Sequence, residues 1–316
     1  MAAKYVIEAG GLVDKIQFII NPVAGGGRAS DLVPKIEQFM QNVEAESSIA
    51  ITEKPKDAIG LTKDALKEGY EKIVAVGGDG TVNEVALGII EAGHGRLGIV
   101  PSGTGNDLAR SLGIPFSLEQ ALSIVLAGRQ KKIDIGAVNG RLFLNIASIG
   151  FDAAVVKTTE RIKKWLKSGL AYFVGVLVTL IGFKDIKVRL QIDGKTVDKD
   201  VLLVAVGNGK YYGGGLKVLP MAEVEDGYFH VCVVNKMSKC QFLFFLPTIV
   251  QGRHVNITKH VEVYKTKQVR VSLADKAYVN TDGEIRVAEE EQLFTIESQI
   301  LPVFIPDQAG LKQKLS

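Results

Sequence analysis

The chain has little of what staples or anchors a protein. It holds two cysteines and four histidines in 316 residues, and no uncharged apolar run reaches the length of about 18 that suggests a membrane span. Cys232 and Cys240 form no CxxC pair and no metal-type cluster with His94, His230, His254 or His260, which excludes a zinc module and a disulfide framework. Both read as reduced core thiols of a cytosolic protein. The longest apolar stretch, GLAYFVGVLVTLIGF at 169–183, reads as a buried helix or as one that touches lipid. MAAKYVIEAGGLVDK lacks the continuous apolar segment of a secretory signal. The net charge is only +3, and without a zinc-finger, RNP-type or helix-turn-helix signature a nucleic-acid partner is not expected.

What is present is the composition of an ordered globular protein, 47% hydrophobic and 23% charged, at a length that suits two domains. Up to about residue 134, short apolar runs alternate with helix-period segments: IQFIINP then LVPKIEQFMQ, IVAVGGDG then VNEVALGIIEAG, LGIVPSGTG then NDLARSL. That alternation predicts an α/β nucleotide-binding domain with a parallel sheet over 1–134. From 135 to 300, strand-like runs are punctuated by Asn-Gly and Asp-Gly, the residues of two-residue hairpins, which predicts a mainly antiparallel β domain. Helices interrupt it near 153–183 and 238–251, and the tail 301–316 is expected to pack back on the first domain.

Three glycine turns follow predicted strands. In KIVAVGGDGTVNEVALGI a buried strand meets Gly-Gly-Asp-Gly and a helix starts near Thr81; glycine lets the backbone approach a ligand, and a helix N-terminus offers free N–H groups to an anion. GIVPSGTGNDLARSLGIP repeats the arrangement with Ser102, Gly103, Thr104 and Gly105 ahead of Asn106 and Asp107. FIINPVAGGGRA supplies a third, with Asn21 and Gly25-Gly26-Gly27. Turns from neighbouring parallel strands point into one crevice at the carboxyl edge of the sheet. Other nucleotide signatures fail: IDGKTVD has Arg189 where a P-loop needs its first glycine, and GTGNDL has Leu108 where a dinucleotide fingerprint needs its last.

These segments, in the order IINPVAGGG, GGDGTVNE, PSGTGND, GNGKYYGGGLKVLP, EDGYFHVCVV and NTDGE, resemble the diacylglycerol kinase catalytic domain family of bacterial soluble lipid kinases, related to sphingosine and ceramide kinases. The resemblance covers about residues 16–300. GGDGT also occurs in NAD kinases and phosphofructokinases, so GTGND and GNGKYYGGG make it specific. It implies an NAD kinase/phosphofructokinase-like fold with the active site in an interdomain cleft. It implies ATP contacts from Asn21, Pro22, Val23, Ala24 and Gly25, from Thr52, from Gly78, Asp79, Gly80, Thr81, Val82, Asn83 and Glu84, and from Thr104. Glu284 is implied as the general base; taken alone, Asp282-Gly283 reads as a hairpin turn with a solvent-facing glutamate. Phosphoryl transfer needs charge neutralisation, so ATP is expected with Mg²⁺ and with Asp79 close to it. Asp134 either shares that network or satisfies buried backbone amides. A second, structural Mg²⁺ is implied near EVEDGYF, with the Asp226 carboxylate and main-chain oxygens of Glu223 and Tyr228 as ligands, although Met221 stands where relatives often carry an acidic residue.

An acyl-chain substrate needs apolar surface, and 169–183 offers it beside TTERIKKWLK, where Arg161, Lys163, Lys164 and Lys167 surround Trp165. That stretch reads equally as a lipid-surface contact or as an ordinary solvated helix face. FLFFLPTIV at 242–250 is a second candidate wall for the lipid and reads chiefly as core. The expected activity is an ATP- and Mg²⁺-dependent lipid kinase that phosphorylates a hydroxyl of diacylglycerol or a similar lipid, forming phosphatidic acid. The expected partners are the lipid substrate and, peripherally, an anionic membrane surface, with a homodimer left open and a cytoplasmic location. The alternatives are an NAD kinase-like small-molecule kinase and a non-catalytic nucleotide- or lipid-sensing regulator on the same fold.

Overall fold

The structure, a computed structural model, describes residues 14–162 and 169–307; Lys163, Lys164, Trp165 and Lys167 lie outside the described residues. It forms two compact units, one of the described residues through Ile133 together with those from Gln299 on, the other Asp134–Ser298.

In the first unit β1 (Lys15–Ile20), β2 (Glu46–Ile51), β3 (Lys72–Gly77) and β4 (Arg96–Pro101) run parallel in the order β2-β1-β3-β4. They are connected through α1 (Val33–Met40), α2 (Asp57–Lys67) and α3 (Asp79–Ala92). Two further helices, α4 (Asp107–Leu112) and α5 (Leu118–Ala127), follow β4, and β5 (Gln130–Val138) leads into the second unit. Residue Val303 pairs in parallel with Leu97 and extends the sheet beyond β4. All six residues of β3 are buried, the pattern of a strand whose two faces are both covered. The strand order reverses direction between β1 and β3: the chain leaves β1 toward β2 and leaves β3 toward β4. Open α/β sheets bind ligands at the carboxyl ends of the strands at such a reversal.

The second unit is antiparallel. It comprises β6 (Arg141–Phe143), β7 (Ile146–Gly150), α6 (Phe151–Ile162), α7 (Gly169–Gly182), β8 (Ile186–Ile192), β9 (Lys195–Gly207), β10 (Phe229–Asn235), α8 (Lys239–Val250), β11 (Val261–Thr266), β12 (Gln268–Leu273), β13 (Tyr278–Thr281), β14 (Glu284–Val287) and the start of β15 (Glu291–Phe304). The three expected hairpin pairs have the left-handed backbone that such turns require: Asn139-Gly140 at φ 48° and 76°, Asp193-Gly194 at 49° and 76°, Asp282-Gly283 at 49° and 100°. The long strand β9 pairs along its first part with β8 and along its last part with β7 and β10, so it carries the chain from one layer of a sandwich into the other. One core cluster fills the space between layers, around Phe143, Phe229, Phe294 and Leu190; the other lies under α6, α7 and α8, around Phe151, Val176, Leu180 and Phe242.

Two expectations are corrected by burial. Cys232 is buried, but Cys240 is exposed in the first turn of α8. The run 242–250 is not core: Phe242 is buried, whereas Phe244 is 77% exposed and Leu243 and Val250 are also exposed. An apolar helix with one buried flank cannot be told from a core helix by composition alone. Helix α7 shows the same division, with Val176 and Leu180 buried and Val178 and Ile181 exposed.

Candidate active site

In the first unit the three glycine turns meet at the carboxyl ends of β1, β3 and β4. The Asn21 N–H donates to Val76 O at 3.1 Å, and the Asn21 side-chain oxygen accepts from Val23 N, folding Asn21–Ala24 into a tight turn. Gly25 has φ 61°, and a Cβ there would collide with Ser102 O. Gly78 and Gly103 are in backbone contact: a Cβ at Gly78 would lie 3.2 Å from Gly103 Cα, and one at Gly103 would fall within the radius of Gly78 Cα. Gly77 O accepts from Ser102 N and Gly103 N, and Asn106, itself at φ 53°, closes the third turn by two hydrogen bonds to Gly103. Arg28 fastens the first turn to the third, donating from Nε to Gly25 O at 3.0 Å and from Nη2 to Gly103 O at 3.5 Å. Sequence reading passed over Arg28, although it directly follows the Gly25–Gly27 run, and named Asn106 only as a residue at the start of the helix, not as the one that closes the turn.

The turns differ electrostatically. The start of α4 is occupied: Asp79 Oδ1 accepts from Asp107 N at 2.6 Å and from Leu108 N at 3.3 Å. No side chain caps α3, whose N-cap is the extended Gly78. The amides and the positive dipole end of α3 are thus the ones left available for an anion. Gly80 and Thr104 are exposed at these turns, Thr81 and Val82 are buried under them, and Asn83 Oδ1 and Ser102 Oγ are buried with no hydrogen-bond partner among the described residues. Val23 is 76% exposed, and Pro22 and Ala24 are half-buried beside it. Thr52 is buried at the end of β2, its N–H bonded to Ile20 O. Glu84 faces α2 and accepts from Lys56 N and Ala58 N, capping that helix.

In the second unit Glu284 is exposed at the start of β14, directly after the Asp282-Gly283 turn. The turn is held rigidly: the Asp282 carboxylate accepts from the backbone N–H groups of Leu144, Asn145 and Ile146 at 2.6–3.1 Å, and Gly283 N donates to Asn280 Oδ1 at 2.9 Å. Asn208, in the Gly-Asn-Gly stretch, donates to Asp134 O and Leu144 O and sews the same region together. Asp134 is fully buried and its carboxylate accepts from Gly227 N at 2.7 Å, so it serves the backbone of the Asp226 turn.

At that turn Asp226 Oδ1 accepts from Tyr228 N, and Oδ2 lies 2.8 Å from the Lys265 ammonium, which stacks with Lys267 on the Tyr228 ring. Glu223 lies close enough for its charge to bear on His230, whose pKa burial lowers against the pull of Asp226. Among the described residues no group of three or more His, Cys, Asp or Glu side chains converges on one point. The donor set for a divalent ion here would be the Asp226 carboxylate with main-chain oxygens of Glu223 and Tyr228, and the Lys265 ammonium competes for that carboxylate.

Comparison with known proteins agrees with this arrangement. Residues 15–138 match a family described as the diacylglycerol kinase catalytic domain, and residues 145–305 match the YegS C-terminal NAD kinase beta sandwich-like domain. The chain is 32% identical over 273 residues to a diacylglycerol kinase of Staphylococcus carnosus, covering 85% of this chain and 88% of that one. It is 31% identical over 305 residues to a diacylglycerol kinase of Staphylococcus aureus strain bovine RF122, covering 96% of each. In fold it resembles a diacylglycerol kinase from Bacillus anthracis (TM-score 0.72, 23% identity, 95% of this chain and 99% of that chain). It also resembles an NAD kinase from Archaeoglobus fulgidus in complex with ATP (TM-score 0.53, 16% identity, 95% and 98% coverage).

Proposed function

The chain belongs to the diacylglycerol kinase family, and from that membership we propose that it transfers the γ-phosphate of ATP to a hydroxyl of diacylglycerol or a closely similar lipid, forming phosphatidic acid. The observation that carries the nucleotide half is the meeting of three glycine turns at the sheet reversal, beside the uncapped N-terminus of α3. ATP enters as its Mg²⁺ complex, the ion offsetting the charge of the β- and γ-phosphates. The α3 amides and the backbone of Gly78–Gly80 hold the phosphates, Arg28 keeps the turns at a fixed spacing, and Asp79 keeps α4 in place next to them. Glu284 takes the proton of the lipid hydroxyl as its oxygen attacks the γ-phosphorus and ADP leaves. Its support is an exposed carboxylate on a turn made rigid by Asp282 and Asn280.

The lipid is met at a membrane surface. No helix of the described residues is long and apolar enough to cross a membrane. α7 and α8 nonetheless expose Val178, Ile181, Leu243 and Phe244, and Lys239 Nζ donates to Ile181 O between them. Apolar helix faces of this kind, with basic residues beside them, sit at the level of lipid headgroups.

The test is transfer of labelled γ-phosphate to dioctanoylglycerol in vesicles with and without anionic phosphatidylglycerol, with NAD as a competing acceptor. The expected result is labelled lipid, faster on anionic vesicles, and a loss of at least a hundredfold in kcat for Glu284→Gln with the KM for ATP unchanged. Labelled NAD without labelled lipid would establish the NAD kinase alternative. ATP binding without transfer to any acceptor would establish the regulator.

A further inference from the structure

A pocket of about 350 Å³ lies wholly within the first unit, against the third glycine turn. It shares Gly103 and Thr104 with that turn, but neither Gly78–Gly80 nor any residue of α3 borders it. Arg28 and Arg110 both line it. Each is tethered at Nε to a backbone carbonyl, Arg28 to Gly25 O and Arg110 to Gly105 O, both at 3.0 Å. The Arg110 guanidinium also lies 4.7 Å from the centre of the Phe116 ring, which is half exposed. Both heads are thus held in place with N–H groups left over for a ligand.

No acidic side chain lines the pocket. Two guanidiniums on one wall repel each other, and an anion between them removes that repulsion. Ser102 points to a ligand independently: it lines the pocket and is only 8% exposed, and its Oγ has no hydrogen-bond partner among the described residues. Native structures seldom leave a buried hydroxyl in that state. The rest of the wall is largely apolar, from Leu32, Val100, Pro101, Phe116 and Leu118.

We propose that this pocket is an anion site separate from the one for the ATP phosphates, and that it takes a small phosphate monoester, with the phosphate between Arg28 and Arg110 and the organic part against Phe116 and Leu118. Three phosphate oxygens match the N–H and O–H donors gathered here better than the two of a carboxylate do. The volume, at the lower end of the roughly 300–1,000 Å³ usual for small-molecule sites, suits a body of glycerol or sugar size. A wall without a carboxylate gives a divalent ion no ligand, so this anion binds without Mg²⁺, unlike ATP. The binding does not rest on the lipid-kinase reading. Its consequence for the nucleotide does: Arg28 donates to Gly25 O and, at 3.5 Å, to Gly103 O, so an anion that holds Arg28 also holds the first and third turns together and tightens ATP binding.

The test is calorimetric titration of glycerol 3-phosphate, ribose 5-phosphate and inorganic phosphate in EDTA, repeated with a saturating non-hydrolysable ATP analogue and Mg²⁺, on the wild type, Arg110→Gln, Ser102→Ala and Phe116→Ala. At least one monoester should bind in EDTA and bind more tightly beside the analogue. Arg110→Gln should weaken it roughly tenfold or more, as loss of a charged hydrogen bond does. Ser102→Ala should weaken it about three- to tenfold while melting no lower than the wild type without ligand, because the lost hydroxyl has no protein partner. Phe116→Ala removes a half-exposed ring and keeps the test open should Arg110→Gln fail to fold; it should weaken the monoester and leave inorganic phosphate unchanged. Failure of all three anions to bind, displacement of the monoester by the analogue, or unchanged affinity in the variants would overturn the site. Inorganic phosphate bound as tightly as either ester would overturn the role of the apolar wall, and equal affinity with and without the analogue would overturn the link to ATP. Monoester binding that the variants weaken, in a protein that binds no ATP analogue, would uphold the pocket and overturn the nucleotide reading instead.

Discussion

Glu262 on β11 accepts from Lys199 Nζ, from Tyr264 Oη and, at 2.7 Å, from Asn235 Nδ2. Partial burial would raise its carboxyl, but these donors outweigh burial and hold it at about 2, against an ordinary value of 4.5. A carboxylate with a depressed folded-state pKa contributes stability that is present above its unfolded value and is lost as pH falls through the folded one. Glu262→Gln should therefore melt below the wild type at pH 7, and the gap should close between about pH 4.5 and 2, as thermal melts across that range will read. A gap that stays constant with pH would remove the charge from the account. At this scale the sequence was least informative. Glu284 follows an ordinary Asp-Gly turn, and only its resemblance to a family motif marked it. Asp152, in a run reading FDAAVV, carries no local signal of its burial; its partners at 148, 212 and 280 are brought together by the fold. Glu84 and Asp79 look like phosphate-turn residues in the sequence, yet their visible partners are backbone amides of α2 and α4.

The strand–turn–helix elements were the most legible. KIVAVG is apolar without interruption and ends in glycines, so a buried strand and a phosphate-sized turn could be read directly. The hairpins were marked by Asn-Gly and Asp-Gly. What could not be read was how the turns touch. Gly103 has an ordinary backbone conformation, so its requirement for glycine is steric: a Cβ would press on Gly78 Cα and push β3's turn from β4's. Gly103→Ala should destabilise the first unit by about 1–3 kcal/mol, as overpacking does, and weaken ATP binding well beyond that loss. Urea titration and nucleotide binding by calorimetry would separate the two. Wild-type ATP affinity in the variant would mean the turns act independently. β2 escaped notice because ESSIAI has neither alternation nor an apolar run; it is an edge strand with few buried side chains. α8 was misread because its outer face is as apolar as its inner one.

At the scale of the molecule, the change from βα alternation to hairpin-punctuated strands announced a parallel first sheet and an antiparallel second one. The sheet of the first unit also uses residues far from the rest of it. Leu301, Val303, Phe304 and Ile305 are all buried, Val303 pairs with Leu97, and Ile305 N donates to Arg129 O. Four such side chains are worth roughly 6–12 kcal/mol at about 1.5–3 each, comparable to the whole stability of a domain. Ending the chain after Ser298 should therefore abolish cooperative melting of the nucleotide unit and its ATP binding; a truncated protein that still binds ATP would show those residues to be dispensable. The discontinuity also has a temporal side. On a ribosome, residues 14–133 emerge well before 299–307, with the 165 residues of Asp134–Ser298 made in between. At about 5–20 residues per second the wait is roughly ten to thirty seconds. Through it the second unit can complete its sandwich while β4 stands with one edge open, so the portion made first is the portion finished last.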